Sequence, residues 1–124
     1  MIAGEQPEVR QIDKAWGHEL ILERNDRFVI KRIFLVAGHR TSLQSHDLKR
    51  EWVTVESGAI EVTMGENLNN LQAYIFNAGD VYRVPPKLIH RVRALEDATV
   101  LEVASPPSDD DIVRYSDDYG RADR

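Results

Sequence analysis

Four side chains with nitrogen or oxygen donor atoms form the strongest candidate site in the sequence. Gln44 and His46 are two residues apart, so in an extended segment their side chains point to the same face. Glu51 begins the next strand-like segment, and His90 follows a proline-containing turn far along the chain. Two imidazoles, one carboxylate and one amide oxygen suit a divalent cation and leave coordination positions for water or substrate.

The metal that this donor set would take is not decided by the spacing of the four residues. Zinc, manganese, iron, cobalt and nickel are all compatible with nitrogen and oxygen ligands of this kind. This chain has four histidines, and in such a chain two of them are often packed or exposed residues that bind no metal. A metal site therefore needs support from a further pattern in the sequence.

Short strands are predicted to position these residues. Segments rich in β-branched and aromatic residues alternate with Gly, Pro, Asn and Asp, which favour turns. The predicted strands are residues 19–23, 28–36, 51–55, 59–64, 71–76, 81–84, 90–95 and 99–104. Because no segment keeps a 3.6-residue apolar period, we expect an all-β fold of the sandwich or jelly-roll type.

The composition is that of a globular chain with one domain. Its 124 residues and 14.2 kDa fit a single domain over residues 1–124, with a core at about 10–104. From residue 105 onward, prolines and a run of aspartates predict a C-terminal arm, residues 105–124, outside the main sheets. Hydrophobic residues make up 42% of the chain and charged residues 30%, which excludes a disordered or fibrous protein.

Charge and cysteine content narrow the functional classes further. The formal net charge of -5 argues against nucleic-acid binding. We expect no membrane association, because no apolar run is long enough to cross a bilayer and no signal-peptide pattern opens the sequence. The absence of cysteine excludes disulfides, thiolate metal sites and a cysteine nucleophile, and a cytoplasmic location is the default expectation.

Two segments resemble the conserved motifs of the cupin superfamily. Residues 38–58 fit the first motif, with Gln44 in place of its first histidine. That motif consists of a glycine, five residues, His-x-His, three or four residues, a glutamate, six residues and a second glycine. Residues 79–90 fit the second motif, with Lys87 in place of a glycine. The resemblance implies a double-stranded antiparallel β-helix, the cupin jelly-roll barrel, with a short C-terminal arm. It also implies that one divalent ion is bound by Gln44, His46, Glu51 and His90.

A narrower resemblance covers nearly the whole chain, from about residue 10 to residue 121. Residues 14–17, 29–33, 42–46, 51–53 and 110–121 are similar to the cupin domain of type II phosphomannose isomerases. In that group the domain usually follows a mannose-1-phosphate guanylyltransferase, and glutamine is the usual residue at the position of Gln44. No glycine-rich nucleotide loop is present in this sequence, so guanylyl transfer is not expected.

The second resemblance implies an activity, a substrate and an assembly. The activity is metal-dependent isomerisation of mannose 6-phosphate to fructose 6-phosphate, with zinc as the first choice of metal. A separate base must move the proton, and the sequence does not identify it. Single cupin domains of this size tend to form homodimers. The basic candidates for binding a sugar phosphate are Lys31, Arg32, Arg40, Lys49, Arg83, Arg91, Arg93, Arg114 and Arg121. Of these, Arg32 and Arg121 match the isomerase pattern and Lys49 replaces its arginine, so we expect these three to bind the phosphate.

Departures from the isomerase pattern keep other functions open. Asp47, Leu48 and Lys49 stand where the family has a histidine-rich run and an arginine, and Trp52 stands where it commonly has histidine. A non-catalytic, metal-containing cupin that binds a small ligand such as a sugar is the alternative. A cupin oxygenase or lyase is the third hypothesis, which bound iron and oxygen uptake would favour.

Overall fold

The computed structural model describes residues 4–108 and 110–120. Within these residues the chain forms strands joined by turns and loops, and no helix has the length and apolar character that a membrane crossing requires. The strands are β1 (Arg10–Lys14), β2 (Gly17–Arg24), β3 (Val29–Leu35), β4 (Leu43–Ser45), β5 (Arg50–Ser57), β6 (Ala59–Gly65), β7 (Gln72–Asn77), β8 (Val81–Val84), β9 (Ile89–Ala94), β10 (Ala98–Ser105) and β11 (Val113–Ser116).

The strands are arranged in two antiparallel sheets. A six-stranded sheet has the order β1-β2-β3-β10-β5-β8, and a five-stranded sheet has the order β11-β4-β9-β6-β7. Strand β10 lies between β3 and β5, so strands far apart in sequence are neighbours in space. The all-β prediction is confirmed, and the eight predicted strands correspond to β2, β3 and β5–β10 with ends within two residues.

The apolar core lies where the inward faces of the two sheets meet. Its fully buried members include Leu35 on β3, Val55 on β5 and Val62 on β6. Burial of each such side chain contributes about 1.5 to 3 kcal/mol relative to exposure. Along β10 every second residue is buried, and one of these inward positions is Glu102 rather than an apolar residue. A charged residue in this row marks the place where the core gives way to a polar cavity.

The C-terminal arm differs from the prediction. Residues 113–116 form β11, which pairs with β4 at the edge of the five-stranded sheet, so this part of the arm is not outside the sheets. Strands β1 and β4 were not predicted either. All three strands are short, and their pairing partners, rather than a long apolar alternation of their own, make them strands.

Gly58 forms the turn between β5 and β6 with a positive φ of 79°. A Cβ atom at this position would lie 2.3 Å from the carbonyl oxygen of Asp97 and 2.8 Å from the Cα of Ala98. Gly38 has a similar φ of 82° with no atom within 4 Å of such a Cβ. At residue 58 both the positive φ and the lack of space for a Cβ atom favour glycine. At Gly38 only the positive φ does so.

We predict that Gly58→Ala lowers the free energy of unfolding by about 3 kcal/mol or more, and that Gly38→Ala lowers it by about 1 kcal/mol. The difference arises because the new methyl group of Gly58→Ala collides with backbone atoms that cannot move independently of the sheet. Urea unfolding of both variants measures it. Equal losses in the two variants would contradict the packing argument.

Candidate metal centre

The strands bring the four predicted ligands to one cavity. Gln44 lies on β4 and pairs across the ladder with His90 on β9, while His46 follows the last residue of β4. Glu51 is the second residue of β5 and therefore comes from the opposite sheet. All four side chains line a cavity of about 250 Å³ between the sheets. Residues spread over more than a third of the sequence thus meet because the two sheets face each other.

His46, Glu51 and His90 form a compact cluster that can hold a metal ion. Their donor atoms all lie within 4.8 Å of one another. His46 Nε2 is 3.1 Å from Glu51 Oε1, and His90 Nε2 is 3.7 Å from Glu51 Oε2. The two imidazole ring centroids are 5.3 Å apart, with an angle of 48° between the ring planes. Two imidazole nitrogens and a carboxylate converging on one point match the ligands of a divalent transition metal.

Backbone carbonyl groups orient both imidazole rings. His46 Nδ1 lies 2.5 Å from the carbonyl oxygen of Asp111, and His90 Nδ1 lies 3.0 Å from that of Leu88. Since a carbonyl oxygen only accepts, each Nδ1 must carry the hydrogen, and in the neutral ring each Nε2 then has a lone pair directed at Glu51. His46 Nε2 is buried and has no hydrogen bond of acceptable geometry within the described residues. A metal ion would satisfy this orphaned nitrogen, so the residues present fit the group.

Burial and mutual charge set the ionisation of the cluster. Burial of Glu51 would raise its pKa, but the adjacent rings of His46 and His90 outweigh this effect and lower the pKa to about 2. Burial lowers the pKa of His90 from its ordinary value. Glu51 is therefore a carboxylate, the form of this side chain that binds metal ions.

The cavity beside the cluster contains more basic than acidic side chains. Lys31 Nζ lies 3.4 Å from Glu19 Oε1 in a largely buried ion pair. Burial, and then the charge of Glu51, raise the pKa of Glu102 well above its ordinary value, which favours its neutral form. The basic side chains of the lining are Lys14, Lys31, Lys49 and Arg114, and the acidic ones are Glu19, Glu51 and Glu102. Such a lining favours an anionic ligand.

The three predicted anion-binding residues have different positions. Lys49 is buried and lines the cavity, so its position is compatible with the predicted anion-binding role. Arg32 does not line it: alternation along β3 turns Lys31 inward and Arg32 to the outer face, where Nε and Nη2 bond to the carboxylate of Glu56 at 2.8 and 3.3 Å. Arg121 lies outside the described residues.

Lys31 and Glu102 are cavity residues that sequence reasoning did not select. Both occupy inward positions of strands, β3 and β10, whose two faces each carry apolar residues. A charged residue in an otherwise apolar strand was the available signal. This signal could not identify the face that meets the cavity, because in a strand with apolar residues on both faces either face can point inward.

Lys87 adopts the conformation that the motif's glycine would have, with a positive φ of 71°. Its backbone N–H donates to the carbonyl oxygen of His46 at 2.6 Å. Lys87 therefore keeps the turn conformation of a glycine, and the turn is bonded to the backbone of the candidate ligand His46.

Residues 4–117 match the sequence pattern of the family described as mannose-6-phosphate isomerase C-terminal. The chain belongs to this family. It is 33% identical to the xanthan biosynthesis protein XanB of Xanthomonas campestris pv. campestris over 117 residues, covering 90% of this chain and 24% of XanB. It is 28% identical to a mannose-1-phosphate guanylyltransferase of Escherichia coli over 117 residues, covering 90% of this chain and 23% of that protein. The chain therefore spans about a quarter of the length of these relatives.

A solved structure supports the cupin fold. An RmlC-like cupin from Shewanella frigidimarina superposes with a TM-score of 0.72 at 19% identity, covering 83% of this chain and 88% of the other. At this identity the likeness shows the fold alone. The predicted cupin jelly roll is confirmed.

We predict that zinc or manganese ions raise the melting temperature of the protein, because an ion that binds only the folded chain stabilises it. His46→Ala or His90→Ala should weaken ion binding by about a hundredfold or more and abolish the thermal shift. A thermal unfolding scan of the metal-stripped chain with and without ions measures the shift, and calorimetric titration measures the affinity. His39→Ala is the matched control, because His39 contacts Tyr119 and does not line the cavity. Equal affinity in all variants would exclude the cluster as the binding site.

Proposed function

We propose that this chain is a metal-dependent sugar-phosphate isomerase that interconverts mannose 6-phosphate and fructose 6-phosphate. The observation that carries the proposal is the cavity in which the His–Glu–His cluster lies beside four basic side chains. Membership of the mannose-6-phosphate isomerase C-terminal family supports the same reaction. The proposed ligands of one divalent ion, with zinc as first choice, are Gln44, His46, Glu51 and His90.

The reaction moves a carbonyl group between adjacent carbons of the sugar. A proton leaves C2 of the aldose, an enediol forms, and a proton is added at C1, while the hydroxyl proton moves from O2 to O1. A bound divalent ion would supply electrophilic stabilisation of the oxygen on which negative charge develops. The carbonyls of Asp111 and Leu88 keep the ligand rings oriented throughout, and the apolar side chains of Val53 and Val92 form part of the cavity wall.

Lys31 and Lys49 are proposed to bind the phosphate of the substrate. Both are less than a tenth exposed and line the cavity with the cluster. A buried ammonium group interacts strongly with a dianionic phosphate, because little water screens the pair. Arg32 has no part in this proposal, since it is ion-paired on the outer face. Arg121 stays a prediction.

The first experiment is turnover of mannose 6-phosphate by the metal-replete chain, with His46→Ala and His90→Ala alongside. We expect turnover in the native chain and a loss of about a thousandfold or more in each variant, because electrophilic stabilisation of developing charge contributes several kcal/mol. A coupled assay for fructose 6-phosphate measures it. Bound metal with no turnover across several divalent ions would exclude this substrate.

Neutralising two basic residues of the cavity and one on the outer face tests the phosphate site. We predict that Lys31→Gln and Lys49→Gln each lower kcat/KM for mannose 6-phosphate by about tenfold or more, which corresponds to about 1.4 kcal/mol. Arg32→Gln removes a positive charge from the adjacent outward position and should change kcat/KM by less than about twofold. Steady-state kinetics on folded variants provides the comparison. An effect of Arg32→Gln equal to that of Lys49→Gln would contradict the assignment.

A sugar-binding cupin without turnover is the second candidate function. It is favoured by the departures at residues 47–49 and Trp52, which replace the histidine-rich run of the isomerase pattern. In the structure the backbone of residues 47–49 is bonded to Asp111, and the Leu48 side chain is exposed. This part of the loop therefore supports the site by its backbone rather than by imidazole groups. The cytoplasmic location and the homodimer remain expectations of both candidates.

A further inference from the structure

Asp111 contacts four consecutive residues of the loop that joins two of the candidate ligands. Its carbonyl oxygen accepts a hydrogen bond from His46 Nδ1. Its carboxylate accepts backbone N–H groups of the next three residues: Oδ1 binds Asp47 at 2.8 Å, and Oδ2 binds Leu48 and Lys49 at 2.9 and 3.0 Å. One residue of the C-terminal segment thus bonds to both the ring and the backbone of the loop.

This loop determines the separation of two ligands. It connects His46, at the end of β4, to Glu51, near the start of β5, and these strands belong to different sheets. A short loop between sheets has no ladder partner for its own N–H groups, so a carboxylate that accepts three of them replaces a ladder. The bonds from Leu48, Asp47 and Lys49 lower the pKa of Asp111 and keep it ionised.

The rest of the C-terminal segment is attached independently of Asp111. Strand β11 pairs with β4, Tyr115 Oη lies 2.9 Å from Ser45 Oγ, and Asp118 accepts two hydrogen bonds from Arg40 at 2.6 and 2.8 Å. Removal of the Asp111 carboxylate should therefore leave the segment attached. The expected disturbance is confined to residues 46–49 and to the position of the residue 111 carbonyl.

We propose that Asp111 is a positioning residue of the metal centre. Its carboxylate fixes the loop of residues 46–49, and its carbonyl holds the His46 ring in the Nδ1–H tautomer with Nε2 directed at Glu51 and His90. This inference rests on the metal centre of the proposed function, because its consequence is a preformed ligand geometry. Asp111 does not line the cavity: its carboxylate acts through the loop backbone, and its carbonyl acts through the His46 ring.

The ring tautomer is the decisive measurement, since it needs no metal. Nitrogen-15 NMR of the histidine rings in the metal-free full chain, at a pH where the rings are neutral, identifies which nitrogen carries hydrogen. The His46 signals are assigned by their loss in His46→Ala. We expect the Nδ1–H tautomer at His46 in the native chain and a mixture of tautomers in Asp111→Ala. Asp111→Asn, which keeps one acceptor oxygen and the side-chain volume, should give a smaller effect.

Zinc affinity of the same proteins is the second readout. Isothermal titration with zinc ions should show a loss of about 10- to 100-fold in Asp111→Ala, the range typical of groups that orient a metal ligand. Asp110→Ala removes a neighbouring exposed carboxylate, and Arg40→Gln breaks the distant attachment at Asp118. Both controls should keep the native tautomer and an affinity within about twofold of the native chain.

The outcomes separate this inference from the proposed function. A native chain that binds no zinc contradicts the metal centre, while the tautomer measurement still decides the role of Asp111. An unchanged tautomer at His46 in both folded Asp111 variants overturns the positioning role, even if the native chain binds zinc and turns over substrate. If Asp111→Ala does not fold, Asp111→Asn is compared with Arg40→Gln. A native tautomer in Asp111→Asn then overturns the proposal.

Discussion

The buried carboxylate of Glu51 between two histidine rings is the interaction on which the rest of the site depends. An isolated carboxylate in a barrel interior would take up a proton, because burial strongly disfavours its charged form. The adjacent rings reverse this tendency and keep the pKa of Glu51 low. Two backbone carbonyls hold these rings in place. The site therefore needs both sheets and the C-terminal segment to be in position before its charge is tolerated.

The charge pattern of the cavity follows from strand alternation. Inward positions of β3 and β10 carry Lys31 and Glu102, and the loop before β5 adds Lys49. Their charges partly compensate one another, and Glu102 tends toward its neutral form next to Glu51. The remaining excess of basic groups gives the cavity a preference for anions, whereas outward residues such as Arg32 pair with neighbours at the surface.

The C-terminal segment is an integral part of the barrel rather than an appendage. It supplies β11, two residues of the cavity wall, Ile112 and Arg114, and the Asp111 contacts to the ligand loop. The family match extends through residue 117 and so includes this segment. The whole chain matches about a quarter of each longer relative, and in this chain that region forms a cavity with a donor set and a charged lining.

The all-β class, eight of the strands and the family follow from the amino-acid sequence, because turn residues and motif spacings are local signals. The four ligands stay a prediction made from the same motif spacings. Which face of each strand meets the cavity depends on the tertiary fold. Both faces of β3 and β10 carry apolar residues, and bulges shift the register in the pairings of β2 with β3 and of β10 with β5. Pairings between distant residues decide that Lys31 rather than Arg32 lines the cavity. They also form strand β11 and the contacts of Asp111. No local pattern encodes such pairings, since each side chain acquires its partner only when the sheets close.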